Sequence, residues 1–121
     1  MVTMRQLVSR CKRKKKKRRN LVPALNKCPF KKGTVRAVLI EKPKKPNSAK
    51  RKIVRVSLSN GRIVRCHIPG IGHTLSKFSV VLVRGGRAQD LIGIRYKVVR
   101  AKFDLHAVND RITRKTKFGI K

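Results

Sequence analysis

The chain predicts an all-β domain, a small closed barrel of five short strands, on three observations. Apolar and polar residues alternate in short runs between Gly33 and Phe103, clusters of turn residues separate those runs, and no clear helical pattern interrupts them. Five such strands in about seventy residues suggest a small closed barrel. An oligonucleotide-binding Greek-key barrel is the best fit, although periodicity alone does not separate it from an SH3-like barrel.

Residues 1–32 read as a basic extension, polar except for the apolar island Leu21 to Leu25. Pro23 and Pro29 argue against one long helix there. A short helix over Met4 to Cys11 would offer Leu7 and Val8 to a partner. The first strand is Thr34 to Ile40, rich in branched residues. It ends at Glu41, where two prolines and Asn47-Ser48 make a loop. In the second strand, Lys52 to Leu58, Val54, Val56 and Leu58 form an apolar face, while Ile53, Arg55 and Ser57 fall on the other, charged side. Asn60-Gly61 tolerates the positive φ of a tight hairpin turn, and it precedes a third strand carrying Ile63, Val64, Cys66 and Ile68. Pro69-Gly-Ile-Gly breaks that strand. A fourth follows at Ser79 to Val83, then the Gly85-Gly86 loop, then a fifth at Ile94 to Val99. The barrel so defined spans residues 33–103, and residues 104–121 read as a basic tail.

Charge points to the partner. Lys and Arg number 35 against four acids, Glu41, Asp90, Asp104 and Asp110, for a formal net charge of +31. A chain this basic repels itself, so its working state includes a dense polyanion. Nucleic acid is the expected one, because each phosphate neutralised by Lys or Arg releases a condensed counterion. The densest run is Arg10, Lys12, Arg13, Lys14, Lys15, Lys16, Lys17, Arg18 and Arg19, a phosphate-binding arm that orders as it threads between phosphates. The run has no apolar face, which disfavours a membrane surface, and no stretch has the apolar length of a bilayer span or a secretory segment. A protein that is neither secreted nor membrane-bound is expected. Cys11, Cys28 and Cys66 are odd in number and widely spaced, which fits neither a disulfide framework nor a zinc site; free thiols are expected.

Two loops carry the candidate contacts. In the first, Lys44 and Lys45 are point charges suited to phosphate, and Pro46 stiffens the backbone before Asn47 and Ser48. An amide beside a hydroxyl both donates and accepts, as do the 2′-hydroxyls of an RNA minor groove. In the second, Arg84 and Arg87 bracket Gly85-Gly86, followed by Gln89 and Asp90. The glycines let backbone approach a phosphate, and Asp90 is placed to orient an arginine or a loop amide, or else to cap its own turn. Tyr96, the one aromatic on a predicted strand, is expected to pack in the barrel wall. Phosphates, 2′-hydroxyls and shape then carry binding in place of stacked bases.

At these loops the chain resembles a known family. Pro43-Lys-Lys-Pro-Asn-Ser-Ala49 with Arg51-Lys52, then Gly72-His73, Val83-Arg-Gly-Gly-Arg87, Asp90-Leu91 and Gly93, closely resemble the universal small-subunit ribosomal protein twelve, bacterial or organellar type. Gln6-Leu7, Val22-Pro-Ala-Leu25, Cys28-Pro29 and Lys117-Phe-Gly extend the likeness over nearly the whole chain. The resemblance implies a ribosomal-RNA-binding protein at the decoding centre, with an oligonucleotide-binding barrel and a threaded N-terminal arm. It implies that Pro46, Asn47 and Ser48 lie beside the codon–anticodon minor groove and that Lys44 binds backbone phosphate. The implied partners are small-subunit ribosomal RNA, the mRNA–tRNA codon–anticodon helix and neighbouring ribosomal proteins, with no membrane, metal or cofactor. Asp90 matches the aspartate that many bacteria modify by methylthiolation.

The chain departs from the bacterial pattern in three places. Gln89 stands where bacterial members have Lys, Ile92 where they have Pro, and Thr74-Leu-Ser-Lys-Phe78 where Asn-Leu-Gln-Glu-His is usual. His67-Ile-Pro-Gly and Gly86-Arg-Ala-Gln-Asp90 resemble organellar versions. The likeness begins near Thr3, which leaves no room for a cleavable transit peptide, so either an organelle encodes the protein or the sequence is the mature form. A mitochondrial ribosome is the expected location, with a plastid or bacterial ribosome as alternatives.

An enzyme is the class excluded. His67, His73 and His106 are scattered among few acids and cysteines, with no spacing associated with catalysis or metal binding; His73 is expected to be a neutral, loop-packing residue. A sequence-neutral nucleic-acid compactor or RNA chaperone is the alternative function. It explains the charge but not the stiff Pro46-Asn47-Ser48 loop.

Overall fold

The computed structural model describes residues 1–9 and 15–120. Arg10, Lys12, Arg13 and Lys14 of the expected arm, with Cys11, lie outside the described residues. A short helix, α1, covers Met4–Val8. Thr3 and Gln6 close a reciprocal capping box at its start, each side chain bonded to the other's backbone N–H. Lys15 to Arg19 are exposed and without regular structure.

Five strands follow: β1 Phe30–Glu41, β2 Arg51–Leu58, β3 Ile63–His67, β4 Val80–Gly85 and β5 Tyr96–Val98. They close into a barrel in the order β1-β2-β3-β5-β4. The β3–β5 pair is parallel, with Cys66 opposite Tyr96, and all other pairs are antiparallel. This order, with its one parallel pair, makes the barrel the oligonucleotide-binding type that periodicity leaves undecided.

Closure depends on β1 being longer than its branched residues suggest. Its first part, Phe30 to Thr34, pairs with β4, and Gly33 to Glu41 pairs with β2, with a bulge between Val35 and Ala37. Gly33 belongs to both pairings. A Cβ there would lie 2.4 Å from Val56 Cγ1 and 2.8 Å from the Ser57 carbonyl, so only glycine lets the strand bend across its neighbour.

At the Asn60-Gly61 turn only Gly61 is left-handed, with φ +81. The Leu58 N–H bonds the Arg62 carbonyl at 2.8 Å, so the loop holds three residues, not two. Asn60 also ties the turn to the extension, because its amide donates to the Ala24 carbonyl at 2.8 Å. That bond helps dock the apolar island, where Ala24 and Leu25 are buried in the main core with Val54, Val56, Val83 and Val98. Tyr96 is buried in the wall, and its hydroxyl accepts from the Ala24 N–H at 3.1 Å. Among the described residues Cys28 and Cys66 are free thiols, and burial pushes the Cys66 thiol up to about 12.

Two expectations need correction. Ile53 is fully buried, not on a charged face, in a second cluster with Ala88, Leu91 and Ile94. It points outward from the barrel, but the segment after β4 folds back and covers it. Ile94 accordingly lies outside the short β5 and serves this outer cluster. Beyond Phe103, residues read as tail from their polarity bury Leu105, Val108 and Phe118. Arg100 explains how they are tethered: it is 6 % exposed, and its guanidinium donates to the carbonyls of Pro69, His106 and Gly72. Three carbonyl dipoles replace water around a charge that has no carboxylate partner among the described residues.

Candidate nucleic-acid interface

The two candidate loops meet at one end of the barrel. Residues 42–50, between β1 and β2, form the first; residues 86–95, between β4 and β5, form the second. The Lys44 N–H donates to the Asp90 carbonyl at 2.7 Å, joining them through their backbones. A second link runs beneath. The Asp90 carboxylate pairs with Arg51 at 3.0 Å, and Arg51 opens β2 directly after the first loop.

Each loop is also held internally. In the first, which contains a cis Lys45–Pro46 peptide bond, the Asn47 N–H bonds the Lys44 carbonyl at 3.0 Å. This tight turn leaves Pro46 and Asn47 exposed. In the second, Gly86 N–H bonds the Arg95 carbonyl and Ala88 N–H bonds the Ile94 carbonyl, at 3.0 and 3.2 Å. Ala88, Leu91 and Ile94 then clamp this loop onto Ile53. A rigid loop on an apolar footing presents Arg87 and Gln89 outward.

Lys44, Lys45, Pro46, Asn47, Arg87, Gln89 and Asp90 line one open cavity of about 380 Å³. Lys44, Gly85, Gly86, Arg87 and Gln89 also line an adjoining, more apolar groove of about 830 Å³ that reaches Leu21 and Val22 of the docked island. Asn47 and Gly86 therefore belong to one surface. Ser48 is exposed beside it, and Arg84 is half-buried under it, bonded to the Gly85 carbonyl at 3.5 Å. Lys15 to Arg19 are exposed and line neither cavity.

The glycine pair has a use inside the protein. A Cβ at Gly85 would lie 3.2 Å from Val22, and one at Gly86 would lie 3.2 Å from Lys97. Both positions are small because the island and β5 press against the loop from the protein side. Asp90 is the one carboxylate among the described residues that line these cavities. Burial is the main cause that lowers the pKa of Lys97, with Arg84 and Lys117 adding to it, and Asp90 opposes them. Burial, then Lys97 and Arg51, lowers the pKa of His67, again against Asp90. His73 Nδ1 accepts the Leu75 N–H at 3.2 Å, and burial, Lys52 and Arg100 lower its pKa, which fits a neutral loop-packing ring.

Ile53, Arg51 and the Asp90 carbonyl are the parts of the site that residue types do not reveal. Ile53 obeys strand alternation, which places it toward solvent, and a backbone carbonyl leaves no mark in a sequence. Asp90 reads as able to orient an arginine, but its partner Arg51 lies far away in the chain, so no local spacing names which arginine it is.

A family model described as ribosomal protein S12/S23 matches residues 15–120 of this chain.

Proposed function

The chain belongs to the ribosomal protein S12/S23 family, and from that premise we propose that its joined loops form part of the decoding surface of the small ribosomal subunit. The family is one of structural, non-enzymatic constituents of the small subunit, with ribosomal RNA and ribosomal proteins as partners, so the ribosome itself is the place of action. The finer reading concerns what the loops touch there. Lys44 and Lys45 neutralise backbone phosphate, Asn47 and Ser48 hydrogen-bond the shallow minor groove of the codon–anticodon helix, and Arg84, Arg87 and Gln89 engage neighbouring RNA. Arg10 to Arg19 neutralise ribosomal-RNA phosphates deeper in the particle.

The observation that carries this reading is the bond from the Lys44 N–H to the Asp90 carbonyl, reinforced by the Arg51–Asp90 pair. Monitoring a helix to a fraction of an ångström requires polar groups that do not move when they bind. Two loops tied together and footed on Ile53 meet that requirement better than a charged tail would. Asp90 is also the proposed modification site. Its carboxylate and carbonyl are both engaged, so a group added at its side chain lies against the joint between the loops. The organellar likeness of His67-Ile-Pro-Gly and Gly86-Arg-Ala-Gln-Asp90 supports an organellar ribosome, proposed here as mitochondrial, with a plastid or bacterial ribosome as the alternatives.

The test is a codon-misreading reporter in cells relying on Asn47→Ala or Ser48→Ala. The reading expects changed misreading with a normal yield of small subunits. A nucleic-acid compactor, the rival function, would show equal loss of assembly and no selective effect on reading.

A further inference from the structure

The far end of the β2–β3 hairpin, away from its turn, holds a feature that the loops do not use. Lys50, Arg51, Lys52, His67 and His73 surround a cavity of about 240 Å³, and the segment Gly70-Ile71-Gly72 forms its rim. Among the described residues no acidic residue lines it. The nearest carboxylate that pairs with a lining residue is Asp90, on Arg51, whose Nε is buried without a partner.

The rim has an unusual backbone. Pro69 holds a negative φ through its ring, Gly70 has φ +86, Ile71 is not left-handed, and Gly72 has φ +70. Alternating φ signs at successive residues are the backbone pattern of the concave turns whose N–H groups bind anions. Among the described residues the N–H groups of Gly70, Ile71, Gly72 and His73 have no acceptor. The carbonyls of Pro69 and Gly72 are meanwhile consumed by Arg100 at 2.8 and 2.5 Å. Acceptors are drawn inward and donors are left free.

The rim is also held in shape. A Cβ at Gly70 would lie 2.6 Å from Val108, so the segment after Phe103 presses on it from behind. The Ile68 N–H bonds the Lys52 carbonyl at 3.2 Å, fixing the lysine-bearing strand beside it. His73 accepts at Nδ1, which leaves Nε2 as the proton-bearing donor of the neutral ring.

We propose that this cavity is a phosphate-binding site that takes one backbone phosphate of ribosomal RNA, held by the Gly70 to His73 amides and by the ammonium groups of Lys50 and Lys52. Free backbone donors fix the position of the oxygens and the two lysines supply charge, so the contact positions the protein and reads no sequence. The inference rests on the family's partnership with ribosomal RNA and not on the decoding reading. The site adjoins the decoding loops through Arg51, which faces the cavity and holds Asp90 with the same guanidinium.

The test has two arms, both with the full chain. In the first, ¹⁵N-labelled protein is titrated with inorganic phosphate, and the Gly70, Ile71, Gly72 and His73 amide signals are expected to move together and saturate. The Lys50→Gln, Lys52→Gln double variant, altered only at exposed positions, should bind at least tenfold more weakly with its other signals unmoved. Amides that stay still, or shifts spread evenly over surface lysines, would overturn the site. In the second arm, small subunits assembled with phosphorothioate-substituted RNA are cleaved with iodine. One discrete backbone position should be protected with the wild-type chain and exposed with the double variant. A phosphate response without such protection would assign the cavity to a free anion and overturn the RNA proposal. Neither readout depends on codon reading, so failure here is distinct from failure of the decoding reading.

Discussion

Ile53→Ala is the substitution that most sharply separates the loop's footing from the barrel's core. Ile53 is fully buried, yet its neighbours are Ala88, Leu91 and Ile94 and not the main cluster around Val54, Val56 and Val83. The change removes three carbon atoms, which at about 0.8 kcal/mol each gives ~2.4 kcal/mol before any cavity cost. Incomplete collapse would raise this toward ~4 kcal/mol. Because the cluster lies outside the barrel, the loss falls on closure of the loop ahead of global unfolding. Hydrogen exchange measured amide by amide is the assay. The Ala88 amide, bonded to the Ile94 carbonyl, and the Leu91 amide, bonded to the Ala88 carbonyl, report the loop. At tenfold per 1.4 kcal/mol, ~2.4 kcal/mol corresponds to about fifty-fold faster exchange there. Val54→Ala is the control, since it weakens the central core and should speed exchange throughout the barrel. If Ile53→Ala speeds all slow amides equally, or leaves Ala88 and Leu91 unchanged, the loop does not depend on this footing and the reasoning fails.

Four further outcomes follow from the same structure. Arg100→Met should cost roughly 2–4 kcal/mol in denaturant unfolding, because three carbonyls lose their donor while the aliphatic volume is kept; a change within ~0.5 kcal/mol would show that water replaces the guanidinium. Asp90→Asn should change stability by less than about 1 kcal/mol, since the pair with Arg51 is partly exposed. The same variant should lower the His67 pKa further, because Asp90 is the charge that raises it; an imidazole titration that does not move contradicts that assignment. His67 and His73 both titrate below their ordinary 6.5 in the folded chain, mainly through burial. Between those folded values and 6.5 the unfolded chain binds more protons, so stability rises with pH. Melting temperature should therefore drop as pH falls through about 6.5 and level off once both folded imidazoles are protonated, with His67→Gln and His73→Gln together flattening the profile. A double variant with an unchanged profile would place the pH response elsewhere.

The β2–β3 hairpin is legible in the sequence because two signals agree: Val54, Val56 and Leu58 alternate, and Asn60-Gly61 breaks the run where the chain must reverse. Its loop length is less legible, since Asn-Gly serves two-residue and three-residue turns alike. The parallel pairing of β3 with β5 leaves no local trace, because Cys66 and Tyr96 meet only after the chain has crossed the barrel. Ile53 shows a limit of alternation. A strand's outer face reads as solvent unless something covers it, and the cover here is a loop whose own apolar residues, Ala88, Leu91 and Ile94, are too scattered to announce a core. Arg100 is hidden for the opposite reason: in a chain with 35 Lys and Arg residues, one more cation reads as surface. The loops themselves stand out by their proline, glycine and small polar residues. The bond that joins them directly, from one N–H to one carbonyl, uses groups that nearly every residue has and carries no signal of its own.

On the proposed function, Lys44 to Ser48 and Arg84 to Asp90 form one rigid surface applied to the decoded helix. The most direct measurement is a cryo-EM map of the small subunit carrying this chain, with mRNA and cognate tRNA bound. Asn47 and Ser48 should lie within hydrogen-bond reach of the codon–anticodon minor groove or the RNA lining it, with Lys44 on a backbone phosphate and its N–H still bonded to the Asp90 carbonyl. A map with the two loops parted, or with both turned to solvent away from the codon, would contradict it.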